Sequence, residues 1–133
     1  MNLVDSCGWL EYFADGENAD FFAFPLHKID QLIVPSICMY EVFKKVLSDR
    51  GEGEALQAVS LMKQGLVVDF DDSLAMNAAR ISDDRKLPMA DSIILATAKE
   101  HRALIWTQDE HFKDLPGVKF RAKRPAGGSK KRG

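Results

Sequence analysis

An alternation constrains this chain more than any other feature. Short apolar stretches that stop abruptly take turns with longer segments of helical period. The stretches "NLV", "QLIVPS", "LVVDF", "ALIWT" and "VKF" read as brief strands. Residues 6–13 place Trp9, Leu10 and Phe13 on one helical face and stop at "ADG". "ENADFFAFPL" reads as a second helical piece, interrupted by Pro25. Ser36 is placed to cap "ICMYEVFKKVLSDRG", which Gly51 terminates. "EGEALQAVSLMKQG" repeats Leu56, Val59 and Met62 at helical spacing. Asp72 can cap "SLAMNAARISDDR", and Pro88 falls near the first position of the helix in "LPMADSIILATAKEHRA". "QDEHFKD" reads as a turn or helical turn. Strands alternating with helices predict an α/β fold with a mostly parallel sheet, into which the helix pair at 36–50 and 54–64 is inserted.

A chain of 133 residues suits one domain and buries roughly two-thirds of its unfolded surface. Its apolar and charged fractions, 46% and 29%, are those of an ordinary globule. No apolar run approaches the ~20 residues of a membrane span, so no membrane association is expected. No basic segment leads into a long apolar one, which makes the cytoplasm the expected compartment. Cys7 and Cys38 form no CxxC pair, and His27, His101 and His111 lack zinc-ligand spacing. Both cysteines read as small buried hydrophobes. "GEGEA" lacks the Lys-Ser/Thr of a phosphate loop. The net charge of −2 hides an asymmetry: residues 119–133 hold seven Lys or Arg and no acid, leaving 11 bases against 20 acids elsewhere. Such a segment is either a solvated, disordered tail or an element that attracts a polyanion.

The acids carry the functional argument. In open parallel sheets, sites form beyond the carboxyl ends of strands. Asp5 follows the first strand directly, and Asp109 follows "ALIWT" by two residues, so a parallel sheet brings both to one rim. Asp91 sits in the first turn of a helix whose Ile94, Leu95 and Ala98 form an inward face. Glu41 lies early in the helix after "QLIV", between Tyr40 and Phe43. Each acid also has an ordinary structural use. Asp5 can cap a helix, Asp91 can complement a helix dipole, Asp109 can belong to a turn, and Glu41 can be a solvated helix residue. Composition and periodicity leave both readings open.

Four segments in order, "NLVDSCGWLEYF", "LIVPSICMYEVFKKV", "LPMADSIILATAKEH" and "ALIWTQDEHF", resemble the PIN-domain ribonucleases, specifically the VapC-like toxins of toxin–antitoxin pairs. The similarity runs to about Phe120. It implies a PIN-like three-layer sandwich over residues 1–120, followed by a basic tail at 121–133 that is expected to be disordered. Asp5, Glu41, Asp91 and Asp109 match the family's acidic positions, although the fourth acid of the family varies and Glu110 adjoins Asp109. Ser6 and Thr107 match hydroxyl residues that stand beside the metal or its water, and are carried as supporting.

The resemblance implies hydrolysis of RNA phosphodiesters by water activated at a Mg²⁺ or Mn²⁺ site, with Asp5, Asp91 and Asp109 as ligands and Glu41 as a further ligand or orienting group. Physical chemistry agrees on the need for a cation. Two unit charges 4 Å apart repel by ~4 kcal/mol at an effective dielectric of 20, so clustered carboxylates hold protons or a cation. A set of hard oxygen donors selects Mg²⁺ or Mn²⁺ over zinc. Lys44 and Lys45 are candidate phosphate contacts, or part of a solvated helix face. The implied partners are RNA, a small antitoxin protein that places a basic side chain in the acidic pocket, and a second copy of the chain. "NADFFAF" and the helices at 36–64 offer apolar surface for the protein partners, or pack into the core. The alternative reading is a non-catalytic PIN-like module that binds RNA or protein. An aspartyl-nucleophile phosphatase would need an acid two residues after Asp5, where Cys7 stands.

Overall fold

The computed structural model describes residues 1–124; residues 125–133, most of the segment read as a tail, lie outside the described residues. Strands β1 (Asn2–Val4), β2 (Leu32–Pro35), β3 (Leu66–Val68), β4 (Leu104–Thr107) and β5 (Val118–Phe120) form one sheet in the order β3-β2-β1-β4-β5. Every pairing is parallel. Its helices are α1 (Ser6–Phe13), α2 (Ala19–Leu26), α3 (Ser36–Arg50), α4 (Glu52–Met62), α5 (Asp72–Arg85) and α6 (Met89–His101). A 3₁₀ turn at Glu110–Phe112 joins β4 to β5. No helix among the described residues is long and apolar enough to cross a membrane.

Apolar runs without polar alternation form the inner strands because a parallel sheet is covered on both faces. Val4 and Trp106 sit side by side in register and face α1 and α2; the Phe21 and Trp106 rings are 5.1 Å apart. Leu3 and Ile105 point the other way and are just as buried. α6 lies deepest of the helices, with Asp91 to Ala98 buried without a break.

Several local expectations shift by one position. Pro35, not Ser36, occupies the cap position of α3, and Ser36 is its first helical residue. Asp71, not Asp72, caps α5 by accepting from the Leu74 N–H at 2.9 Å. Pro25 does not interrupt α2; it falls in the last turn, so only the hydrogen bond to the Phe21 carbonyl is given up before the helix ends. In α4 the buried residues are Ala55, Ala58 and Met62, whereas Leu56 is exposed and Val59 half-buried. Small side chains let α4 lie close to α3 across the Gly51 corner, whose φ of 93° suits glycine.

Arg121 to Arg124, the start of the basic segment, pack back on the domain. The Arg121 N–H donates to the Thr107 carbonyl, Lys123 Nζ lies 2.6 Å from Glu11 Oε1, and Arg124 pairs with Glu17.

Candidate functional site

Sheet order decides where the site forms. The chain leaves β1 toward β2 on one side, while β4 lies on the other, so the order reverses between β1 and β4. In open parallel sheets such a reversal is where a ligand crevice forms, outside the strands' carboxyl ends. Asp5, just after β1, and Thr107, at the end of β4, stand there.

Asp5 is 3% exposed and does cap α1: its Oδ1 accepts from the Gly8 N–H at 3.0 Å. A Cβ at residue 8 would come within 2.6 Å of Phe22 and Val4, so glycine is what lets α1 begin this close to the sheet. The same carboxylate has further partners. Cys7 Sγ donates to Oδ1 at 2.9 Å, and Thr107 Oγ1 donates to Oδ2. Thr107, fully buried, in turn accepts from the Asp109 N–H at 2.9 Å. One hydroxyl therefore joins Asp5 to the loop that carries Asp109.

Asp109 caps the 3₁₀ turn and accepts from the His111 N–H at 2.9 Å. Asp91 enters from the first turn of α6, whose start is pinned by Ser92 Oγ donating to the Pro88 carbonyl at 2.9 Å. His111 Nδ1 lies 2.8 Å from Asp91 Oδ2 and 3.1 Å from Asp109 Oδ1. One ligand atom each from Asp91, Asp109 and His111 lie within 4.8 Å of one another. Glu41, half-buried on α3, accepts from Ser6 Oγ at 2.7 Å.

The four acids thus share one neighbourhood but not one shell. Asp91 and Asp109 share a common reach, Asp5 joins through Thr107, and Glu41 is tied to Ser6 at the head of α1. The electrostatics fit this arrangement. Burial pushes the Asp5 carboxyl up to about 6 against the hydrogen bonds it accepts, and the Asp109 charge adds to the rise. Burial and then the Asp109 charge also push Asp91 up to about 6, with His111 pulling the other way. The Asp109 and Asp91 charges raise the His111 imidazole. Burial, followed by the charges of Asp5 and Glu41, pushes the Cys38 thiol up.

Two residues have roles that sequence reasoning missed. Cys7 is more than a small buried hydrophobe: it is half-buried and donates to Asp5. His111 escapes any rule that spaces histidines against one another. The legible signal is Asp-x-His, which a tight turn folds onto one spot. Two carboxylates and an imidazole suit a divalent ion. Lys44 and Lys45 are exposed and engage their own helix: Lys44 Nζ is 5.8 Å from the Tyr40 ring centroid, and Lys45 Nζ is 3.3 Å from Asp49. A groove of about 320 Å³ opens between α1, α3 and α4, its apolar side formed by Leu10, Phe13, Val46, Ala58 and Leu61 and its charged side by Lys45, Asp49, Arg50 and Glu54.

The solved structures similar to this chain share its fold. A toxin–antitoxin complex from Klebsiella pneumoniae superposes with a TM-score of 0.74 at 24% identity, over 90% of this chain and 96% of that one. VapC20 of Mycobacterium tuberculosis, described as a sarcin-ricin loop cleaving toxin, gives 0.72 at 14% identity, over 94% and 100%. VapBC2 from Rickettsia felis, bound to a promoter DNA fragment, gives 0.69 at 12% identity, over 91% and 97%. A search of curated protein sequences finds no match. The PIN-domain profile matches residues 3–118, nearly the whole described chain, and on that match the protein belongs to the PIN-domain family.

Proposed function

We propose that this chain is a metal-dependent ribonuclease and the toxin of a toxin–antitoxin pair. The observation that carries the reading is the convergence of Asp5, Asp91 and Asp109, with Glu41 close by, at the crevice between β1 and β4. Asp91 and Asp109 are the residues to hold Mg²⁺ or Mn²⁺ directly, while Asp5 and Glu41 bind it or its water. Bound there, the ion would supply charge neutralisation at the scissile phosphate and a more acidic water.

The chain's own residues divide the remaining work. Asp5 is positioned through both oxygens, so its carboxylate is fixed beside the site. In the metal-free protein Asp5 and Asp91, with carboxyl groups near 6, hold protons part of the time just below neutral pH, and those protons would leave as an ion binds. Ser6 holds Glu41 by its Oε1 and so limits its rotamers. The apolar groove beside α1 suits a segment of a small antitoxin, and the neighbours solved as toxin–antitoxin assemblies support that partner.

Incubation of the purified chain with a mixed RNA pool tests this. Cleavage should require Mn²⁺ or Mg²⁺, leave 5′-phosphate and 3′-hydroxyl ends, and vanish in Asp5→Asn and Asp91→Asn. Cleavage unchanged in both variants would remove the site. Absence of cleavage by the wild type with either ion would favour a binding module.

A further inference from the structure

The turn at Glu110–Phe112 adds a donor that a carboxylate-only site lacks. His111 Nδ1 approaches Asp91 on α6 and Asp109 beyond β4, so its position is more than a local consequence of the turn. The turn is anchored on both sides of the imidazole: Asp109 holds the His111 N–H, and Phe112 is fully buried. The His111 side chain is 57% exposed and open to exchange of partners.

The spacing suits two states. Separations of 2.8 and 3.1 Å put a protonated imidazole in ion-pair contact with both carboxylates. They are also the spacing of neighbouring donors around a six-coordinate ion, since bonds of ~2.1 Å at right angles put adjacent donors about 3 Å apart. The ion-paired state holds the donors close to where a small divalent ion needs them.

We propose that His111 Nδ1 is a nitrogen ligand of this centre beside Asp91 and Asp109, making it a mixed nitrogen–oxygen site that prefers Mn²⁺ to Mg²⁺. The inference rests on the reading that these acids hold a metal. Ligation uses the Nδ1 lone pair: the Nδ1 proton passes to solvent and Nε2 keeps its own. Imidazole adds more affinity for first-row transition ions than for hard, strongly hydrated Mg²⁺.

Calorimetric titration of Mn²⁺ and Mg²⁺ into the wild type and His111→Ala, with pulsed electron paramagnetic resonance of the Mn²⁺-loaded protein, tests it. The wild type should show nitrogen-14 coupling to Mn²⁺, and His111→Ala should lose it. Mn²⁺ affinity should fall about tenfold or more in the variant, and Mg²⁺ affinity by less than about threefold. Unchanged circular dichroism would confirm that the exposed substitution leaves the fold intact. Absence of nitrogen coupling in the wild type would overturn the assignment. So would equal or tighter binding of both ions by His111→Ala, the result expected if the imidazole only stands in for a cation. None of these readouts involves RNA. Nitrogen coupling without cleavage keeps the ligand and defeats the ribonuclease, whereas cleavage without coupling does the reverse.

Discussion

Asp5 caps α1, and on the proposed reading it also serves an ion site; the two uses conflict. As the cap of α1 it is buried against the sheet, whereas an ion ligand must be charged. Its carboxyl, near 6 against an ordinary 3.8, records the cost. A folded value above the unfolded one means that folding favours the protonated form. The penalty is therefore absent below about pH 4, grows between 4 and 6, and is complete above 6, where it amounts to roughly 3 kcal/mol. Asp5→Asn keeps the shape without the charge. It should stabilise the metal-free protein by about 2–3 kcal/mol near pH 8, with the gain shrinking as pH falls below 6. Urea unfolding in chelator at several pH values checks this; a variant less stable than wild type near pH 8 would contradict it. At this scale the sequence is least forthcoming. The acids stand out because few residue types do their chemistry. Thr107 was marked through the resemblance, but Cys7 acts through a contact with Asp5 that no spacing rule encodes, and His111 reaches Asp91 across 20 residues of chain.

Element boundaries were largely legible because they are written in local chemistry. Gly51 at the α3–α4 corner and the stop of α1 after Phe13 follow from conformational preferences of single residues. The inward face of α4 was legible only at Met62. Periodicity picks the large apolar residues, whereas a close helix pair is set by small ones, here Ala55 and Ala58. The surplus Leu61 then lines the groove beside α1. The polar clasp around Glu11 was also unreadable. Glu11 is 4% exposed, accepts from the Asn18 N–H at 2.9 Å, and meets Lys123 at 2.6 Å. Asn18 Nδ2 donates to Gln108 Oε1 and to the Ala122 carbonyl, so α1, the chain beyond β5 and the residue before Asp109 are fastened together. Burial alone would raise the Glu11 carboxyl, but the Asn18 N–H and then Lys123 hold it below the ordinary range. A depressed carboxyl contributes stability above its unfolded value, near 4.5, and loses it as pH falls through the folded one. Lys123→Ala should cost about 1–3 kcal/mol at neutral pH and less in acid, where Glu11 takes up a proton. An equal loss at both pH values in urea unfolding would contradict the clasp.

For the whole molecule, a parallel sheet read from alternating strands and helices was enough to bring Asp5 and Asp109 to one rim. Strand order was not in the pattern, yet it is what makes β1 and β4 neighbours and sets the crevice between them. It is also why α6, buried along most of its length, delivers Asp91 to the same place. The proposed chemistry therefore rests on one premise: carboxylates distant in sequence are brought close enough to hold a cation. Anomalous diffraction from Mn²⁺-soaked crystals tests it most directly. The account predicts a manganese peak in bonding contact with the carboxylates of Asp91 and Asp109 and within one water's reach of Asp5. Saturating Mn²⁺ that leaves this rim empty, or that binds on another surface, would contradict it.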